Sequence, residues 1–342
     1  MKRLLEKFQK KDLDIFKQEF SDFLPDNIYD FHIHVWKKEF IKEEISEERK
    51  KQVTFFDPDV INGFKIDDFK VIAKKIFPGK EYKGLFFGLP MKEININKNN
   101  SYIAEINKDN NSYGLFVPEP DLKKIPEDFF DSRFIGFKPY PDLAKSLMIN
   151  KDISIFDFIS DTVLEFCHTY GLILLIHLPR EKRLNDERNI EEIKAIGKRY
   201  PKIKIVLAHA GRSYCYYDIK DSIEYLKGLK NLYVDTAMIT EYSVNEVLMK
   251  ELGPEKILFG SDLSLAVLKG KNIDINNKHY FVTSDPKTWS LSSSQIDLDD
   301  FTLFIYEMIR ALRIASMNLK LDSIDIENIF YSNANRLIDD IV

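Results

Sequence analysis

Eight short apolar runs set the tightest limit on how this chain can fold. They are Ile28–Ile33, Lys83–Gly88, Tyr113–Val117, Phe134–Lys138, Leu172–Ile176, Ile203–Ala208, Leu232–Asp235 and Lys256–Gly260. Several, such as LILLI and IKIVLA, are apolar at consecutive positions, so both faces of such a strand must be buried. That pattern belongs to parallel strands covered by helices. Stretches with helical periodicity separate several of the runs: Ile155–Tyr170, Asn189–Tyr200, Ile219–Leu229 and Val244–Leu252. Alternating strands and helices predict an α/β fold with a parallel sheet, and eight strands favour a closed (β/α)8 TIM barrel. A doubly wound open sheet is the alternative, but no GxGxxG or GxxxxGK[ST] phosphate loop supports it. At 342 residues the chain suits one barrel domain over residues 1–342.

Around that frame the sequence predicts an amphipathic N-terminal helix over residues 2–20, with Leu4, Leu5, Phe8, Leu13, Ile15, Phe16 and Phe20 on its apolar half. Two insertions exceed normal loop length: residues 35–82 between the first two strands, and residues 263–300 after the eighth, a polar stretch with Ser-rich SLSSSQ near its end. Loops this long tend to be lids or substrate loops. The Asn- and Lys-rich residues 94–111 read mostly as a solvated helix and turn. Phe301–Met317 and Ser323–Ile341 read as helices closing the chain.

The chemistry lies at the ends of the runs. The chain has six histidines, and four of them sit in or just after strands: His32 and His34 in DFHIH, His177 ending LILLIH, and His209 ending IVLAH. Residues i and i+2 of a strand share a face, so His32 and His34 present two imidazoles side by side. Active sites of (β/α)8 barrels lie at the carboxyl ends of the strands. His32, His34, His177, His209 and Asp262, which follows the eighth run in ILFGSD, can therefore converge on one mouth. Imidazoles with a carboxylate suit zinc, with manganese or iron as alternatives. The expectation is one divalent metal. His168, within a helix, is expected to be structural, and His279 an exposed loop histidine.

The ordered set DFHIH, FIGFKPYP, LILLIH, IVLAHAG, ILFGSD and FYSNANRLI resembles the amidohydrolase superfamily, in particular its amidohydrolase-2 branch of hydrolases and non-oxidative decarboxylases. It runs from residue 30 to 338. The resemblance implies that His32, His34, His177 and Asp262 bind the metal. It implies that His209 joins them or polarises a substrate oxygen. Asp262 would be ligand, proton acceptor, or both. The resemblance implies an enzyme that cleaves a C–N or C–O bond of an amide, lactone or ester with metal-activated water. The alternatives are metal-dependent decarboxylation of an aromatic or enoic acid, and a non-catalytic homologue. Where family members often follow GSD with an aromatic–proline pair, this chain continues GSDLSLAVLKG.

Secondary candidates ring the mouth. Lys138 is open to three readings: a carbamylated bridge between two metals, an ammonium that binds a substrate carboxylate, or a structural lysine. Arg180 and Arg212, each three residues past a histidine, could recognise an acidic substrate or be ordinary loop charges. Tyr140, Tyr214 and Trp36 are candidates to line the pocket. Asp235 is expected to hold a neighbouring ligand or loop, and Glu119 to form a loop salt bridge. A net charge of −5 gives no case for nucleic acid or anionic membrane. The partner expected is a small-molecule substrate, with homodimerisation left open. The two cysteines, Cys167 and Cys215, form no framework or CxxC pair, which fits a reducing compartment. The charged N-terminus reads as neither signal peptide nor membrane span, so a soluble, cytoplasmic protein is expected.

Overall fold

The structure, a computed structural model, describes residues 8–144, 152–285, 287–291 and 301–342. Leu4 and Leu5 of the N-terminal helix, and most of SLSSSQ, lie outside them.

Every apolar run becomes a barrel strand, in the order read from the sequence. We number them β1 Asn27–His34, β2 Glu81–Phe87, β3 Tyr113–Phe116, β4 Phe134–Phe137, β5 Ile173–Ile176, β6 Lys204–Leu207, β7 Leu232–Asp235 and β8 Ile257–Leu258. Each pairs in parallel with its sequence neighbour. The seam between β8 and β1 carries no regular ladder. It closes through Phe31 N–H to Phe259 O (2.8 Å), Asp262 N–H to His32 O (2.9 Å) and His34 N–H to Leu263 O (3.1 Å).

Burial on both strand faces explains the continuous apolar runs. One set, including Phe31, Leu85, Leu115, Ile135, Leu175, Val206 and Leu258, fills the barrel interior, where Ala334, Leu337 and Ile338 of the helix Asn333–Asp339 join it. Alternate residues such as Leu174, Ile176, Ile205 and Leu207 pack in the larger outer core. The helices start where polar caps allow: Ser160 accepts from Val163 N–H before Asp161–Tyr170, and Asp186 from Arg188 and Asn189 N–H before Glu187–Arg199. No helix among the described residues is long and apolar enough to cross a membrane.

Three expectations change. Ile219–Leu229 forms only the 3-10 turn Ile223–Leu226, although Ile219, Ile223 and Leu226 still point inward; Ser222 and Gly228 weaken a full α-helix there. The polar stretch after β8 contains an antiparallel hairpin, Gly270–Ile275 with Lys278–Thr283. Asn276 and Asn277 supply its turn at positive φ. The helix Ile96–Asp109 is not simply solvated, because it buries Asn99, Asn100 and Asn107. Asn99 bridges Leu89 N–H and Val35 O at 3.0 Å each, and Asn100 brackets Val117 from both backbone groups. The asparagines of that biased segment tie down the chain just past β1, β2 and β3.

Candidate metal centre

Because β1 ends in His-x-His, both imidazoles leave the strand on its inner face at the barrel mouth. Their tautomers follow from their partners. His34 Nδ1 donates to the Gly88 carbonyl (3.1 Å) and His209 Nδ1 to the Ala237 carbonyl (3.0 Å). A carbonyl only accepts, so in both rings Nδ1 carries the hydrogen and Nε2 a lone pair. His32 Nδ1 meets Asp235 Oδ2 at 2.8 Å, the carboxylate–histidine pairing that orients metal ligands. The other Asp235 oxygen accepts His209 N–H (2.7 Å) and Ala237 N–H (3.1 Å). Asp235 thus positions two of the mouth's histidines.

The lone pairs point at a carboxylate. Asp262 Oδ1 lies 3.6 Å from His32 Nε2 and 3.4 Å from His34 Nε2. His32, His34 and Asp262 each offer one ligand atom, all within 4.8 Å of one another. His32 Nε2 and Asp262 Oδ1 are buried and form no hydrogen bond. With Asp262 ionised, two acceptors that face each other without a proton between them are unfavourable, and a divalent cation would resolve that conflict. The residues therefore fit a metal. His177 stands beside this trio rather than inside it. Its ring lies 5.2 Å from that of His209, which is 4.8 Å from that of His32.

Burial sets the protonation states. It holds His32, His34 and His177 well below the ordinary histidine range and takes His209 down to about 3. All four rings are therefore neutral and able to donate lone pairs at neutral pH. Burial pushes the Asp262 carboxyl upward against the pull of Lys138, a tendency that a bound cation would oppose. Lys138 itself is fully buried, makes no hydrogen bond, and is lowered by burial while Asp235 and Asp262 hold it up. Its ammonium lies 5.7 Å from the Phe87 ring and 5.5 Å from that of Tyr140.

A cavity of about 560 Å³ opens above the trio. His34, His177, His209, Asp262, Tyr140, Tyr214, Arg180 and Arg212 all contribute to its lining. The two arginines differ. The Arg180 fork is committed to Glu192 (2.7 and 3.1 Å) and Asn189 (2.7 Å), so it braces the wall. Arg212 donates to the carbonyls of Leu178, Pro179 and Arg180. It has no carboxylate ion pair among the described residues, and its Nε is buried without a partner.

Trp36 is fully buried in a ribbon with Gly63–Phe64 and does not line the cavity. Glu119 is exposed and also lies outside the lining. His168 Nδ1 accepts Lys202 N–H at 3.4 Å, a structural contact. His279, expected to be exposed, is largely covered and stacks on Tyr214 with ring centroids 4.8 Å apart. The hairpin, unread in the sequence, brings it there.

Sequence reasoning marked both insertions as lid or substrate loops but named none of the residues that roof the cavity. Gln52, Val53, Thr54 and Phe55 from the first insertion, and Phe281 and Trp289 from the second, complete the lining. Phe55 packs on His34 at 4.8 Å between centroids. Arg49 ties the first insertion to Glu93 (2.7 Å) and Asp142 (2.8 Å). Lys287 joins the two insertions by pairing with Asp57 (3.0 Å) and Asp59. Beyond insertion length, the hairpin had a readable signal, the alternating residues either side of Asn276–Asn277.

A family model described as Amidohydrolase matches residues 29–339. No curated protein matches the chain. Among solved structures, a zinc-bound amidohydrolase from Burkholderia multivorans matches with TM-score 0.55 at 10% identity, covering 91% of this chain and 99% of that one. 5-Carboxyvanillate decarboxylase from Sphingomonas paucimobilis matches with TM-score 0.55 at 13% identity over 92% and 99%. A probable 2-pyrone-4,6-dicarboxylic acid hydrolase from Acinetobacter baumannii matches with TM-score 0.55 at 11% identity over 92% and 99%. At such identities these likenesses establish the shared barrel.

Proposed function

The chain belongs to the amidohydrolase family, and from that membership we propose that it is a metal-dependent hydrolase cleaving a C–N or C–O bond of a small, acidic amide, lactone or ester. One observation carries the reading: the lone pairs of His32 and His34 converge with an unpartnered, buried Asp262 oxygen. His32, His34 and Asp262 would hold a single divalent cation, zinc by preference, with His177 approaching from the side. That cation supplies Lewis acidity and lowers the pKa of water toward neutrality.

The residues of the chain do the rest. Asp262 takes the proton of the attacking water and delivers it to the leaving group. His209, with Nδ1–H anchored on Ala237, turns Nε2 and its ring edge to the substrate and orients the reacting group. Arg212 lines the cavity without a carboxylate ion pair and would receive a substrate carboxylate, while Lys138 is buried behind the lining, facing Asp235 and Asp262. Tyr140 and Tyr214 form aromatic walls, while the roof limits bulk water.

A second reading, loss of CO2 from an aromatic or enoic acid, draws on the same Arg212 and on the likeness to a decarboxylase. Elemental mass spectrometry on the wild type and on the double variant His32→Ala, His34→Ala tests the metal centre. About one metal per chain, lost in the double variant, is expected. About two per chain would point to Lys138 as a carbamylated bridge, and none after reconstitution with zinc, manganese or iron would overturn the reading. A screen of amides, lactones and aromatic acids, with CO2 release followed in parallel, then separates hydrolysis from decarboxylation.

A further inference from the structure

Asp30 stands between Tyr29 and Phe31, which face the barrel interior, so its side chain leaves β1 on the outer face; the irregular β1–β2 register between Asp30 and Ile33 lets His32, two residues on, turn inward. Asp30 is fully buried. One carboxylate oxygen, Oδ1, accepts two backbone hydrogens, from His32 N–H and Ser261 N–H, both at 2.9 Å. The other, Oδ2, accepts the Tyr82 hydroxyl. Tyr82 comes from β2 and is held by aromatic packing, with ring centroids 5.3 Å from Phe69 and 4.7 Å from Phe77. One carboxylate therefore ties together β1, β2 and the turn after β8.

That turn is the least regular part of the barrel. β8 pairs with β7 over two residues, and Asp262 has a left-handed φ of 68°, a conformation that costs a non-glycine residue energy unless its surroundings hold it. The seam is also tight. A Cβ on Gly260 would come within 3.0 Å of His32 Cβ and 3.3 Å of Asp235 Cβ. Asp30 grips the amide of His32 itself and the amide of the residue just before Asp262. Any slip of β1 against the turn would change the 3.6 Å separation between His32 Nε2 and Asp262 Oδ1. Without the carboxylate, three buried donors would lose their acceptor.

We propose that Asp30 is a positioning residue of the metal centre, fixing the spacing between His32 and Asp262 by holding the backbones of both. The proposal rests on the metal-dependent reading above.

The test uses Asp30→Ala, Asp30→Asn and Tyr82→Phe in the full chain. Zinc affinity is measured by competition with a chelator, the visible absorption of the cobalt-substituted protein reports ligand geometry, and Tm is followed alongside. Asp30→Ala is expected to weaken zinc binding by roughly 10–100-fold, as loss of an outer partner does, and to change the cobalt spectrum. Asp30→Asn should recover most of the affinity, because an amide oxygen still accepts both backbone hydrogens. Tyr82→Phe keeps the ring packing and should weaken binding by about 10-fold at most, with a small spectral change. If Asp30→Ala fails to fold, Tyr82→Phe decides. A lowered Tm with wild-type zinc affinity and an unchanged cobalt spectrum would overturn the positioning role and leave the metal centre standing. A wild type that takes up neither zinc nor cobalt would overturn both.

Discussion

His32, His34 and Asp262 on the floor of the mouth are aimed by strand backbone and by buried carboxylates, whereas the Phe55, Phe281 and Trp289 of the roof sit on insertions joined by side-chain ion pairs. On the floor, His34 N–H and Asp262 N–H belong to the barrel seam itself, so a ligand cannot move unless the barrel opens. In the roof, Arg49 spans Glu93 and Asp142, and Lys287 spans Asp57 and Asp59. Such contacts can break without unfolding the barrel, because local openings have their own, lower free energies. The same mouth thus combines a floor fixed by the barrel backbone with a roof held by side-chain ion pairs. Substrate choice would then evolve in the roof while the chemistry stays on the floor.

The largest difference should come from Asp262→Asn. It removes the proton carrier from the floor and is expected to lower turnover by about 10²–10⁴-fold without disturbing the roof, checked by steady-state kinetics on a substrate found in the screen. Wild-type turnover would remove Asp262 from the proton path. Next, Lys287→Met leaves two neighbouring buried carboxylates without their shared cation, a change that costs about 3–5 kcal/mol for a buried pair. We expect faster proteolysis within the two insertions and unchanged metal content. Loss of metal in this variant would mean that floor and roof are one cooperative unit.

Acid should act on the floor more gently. His209 is neutral in the fold, with its pKa brought from 6.5 to about 3 by burial. Between those values the unfolded chain takes up a proton that the folded chain refuses, so stability is complete above about pH 6.5 and falls as pH drops toward 3. The slope is about 1.4 kcal/mol per pH unit for this one ring. Thermal melts of chelator-treated protein from pH 7 to 5 would reveal it, and His209→Gln should flatten the slope. The smallest effect belongs to Asp142→Asn. Arg49 keeps Glu93, and a partly exposed pair contributes only about 1 kcal/mol or less. A slight fall in Tm is expected, with any kinetic effect confined to KM; a drop in kcat would show that this roof contact reaches the reaction centre.

Much of the floor was readable in advance because it depends on short-range rules. Short apolar runs rich in β-branched and aromatic residues, alternating with helical periodicity, read as buried parallel strands. A histidine or aspartate at the carboxyl end of such a run must face the mouth of a parallel barrel, so His32, His34, His209 and Asp262 could be placed by counting. Asp235, expected to hold a neighbouring ligand or loop, meets His32. The contacts that hold the roof were not readable. Nothing local in the sequence pairs Lys287 with Asp57, 230 positions away, or says that the Arg180 fork turns to Glu192 while Arg212 keeps an unpartnered nitrogen in the cavity wall.

By itself, then, the sequence determined the eight strands, their order and which residues stand at their ends, since strand burial and side-chain alternation are properties of a few consecutive residues. Tertiary structure alone decided how the seam closes, that Asp30 holds the amides of His32 and Ser261, that His279 folds back onto Tyr214, and which of the cavity's arginines is committed to a carboxylate. Those outcomes depend on distances between segments far apart in the chain, and only the packed barrel sets such distances.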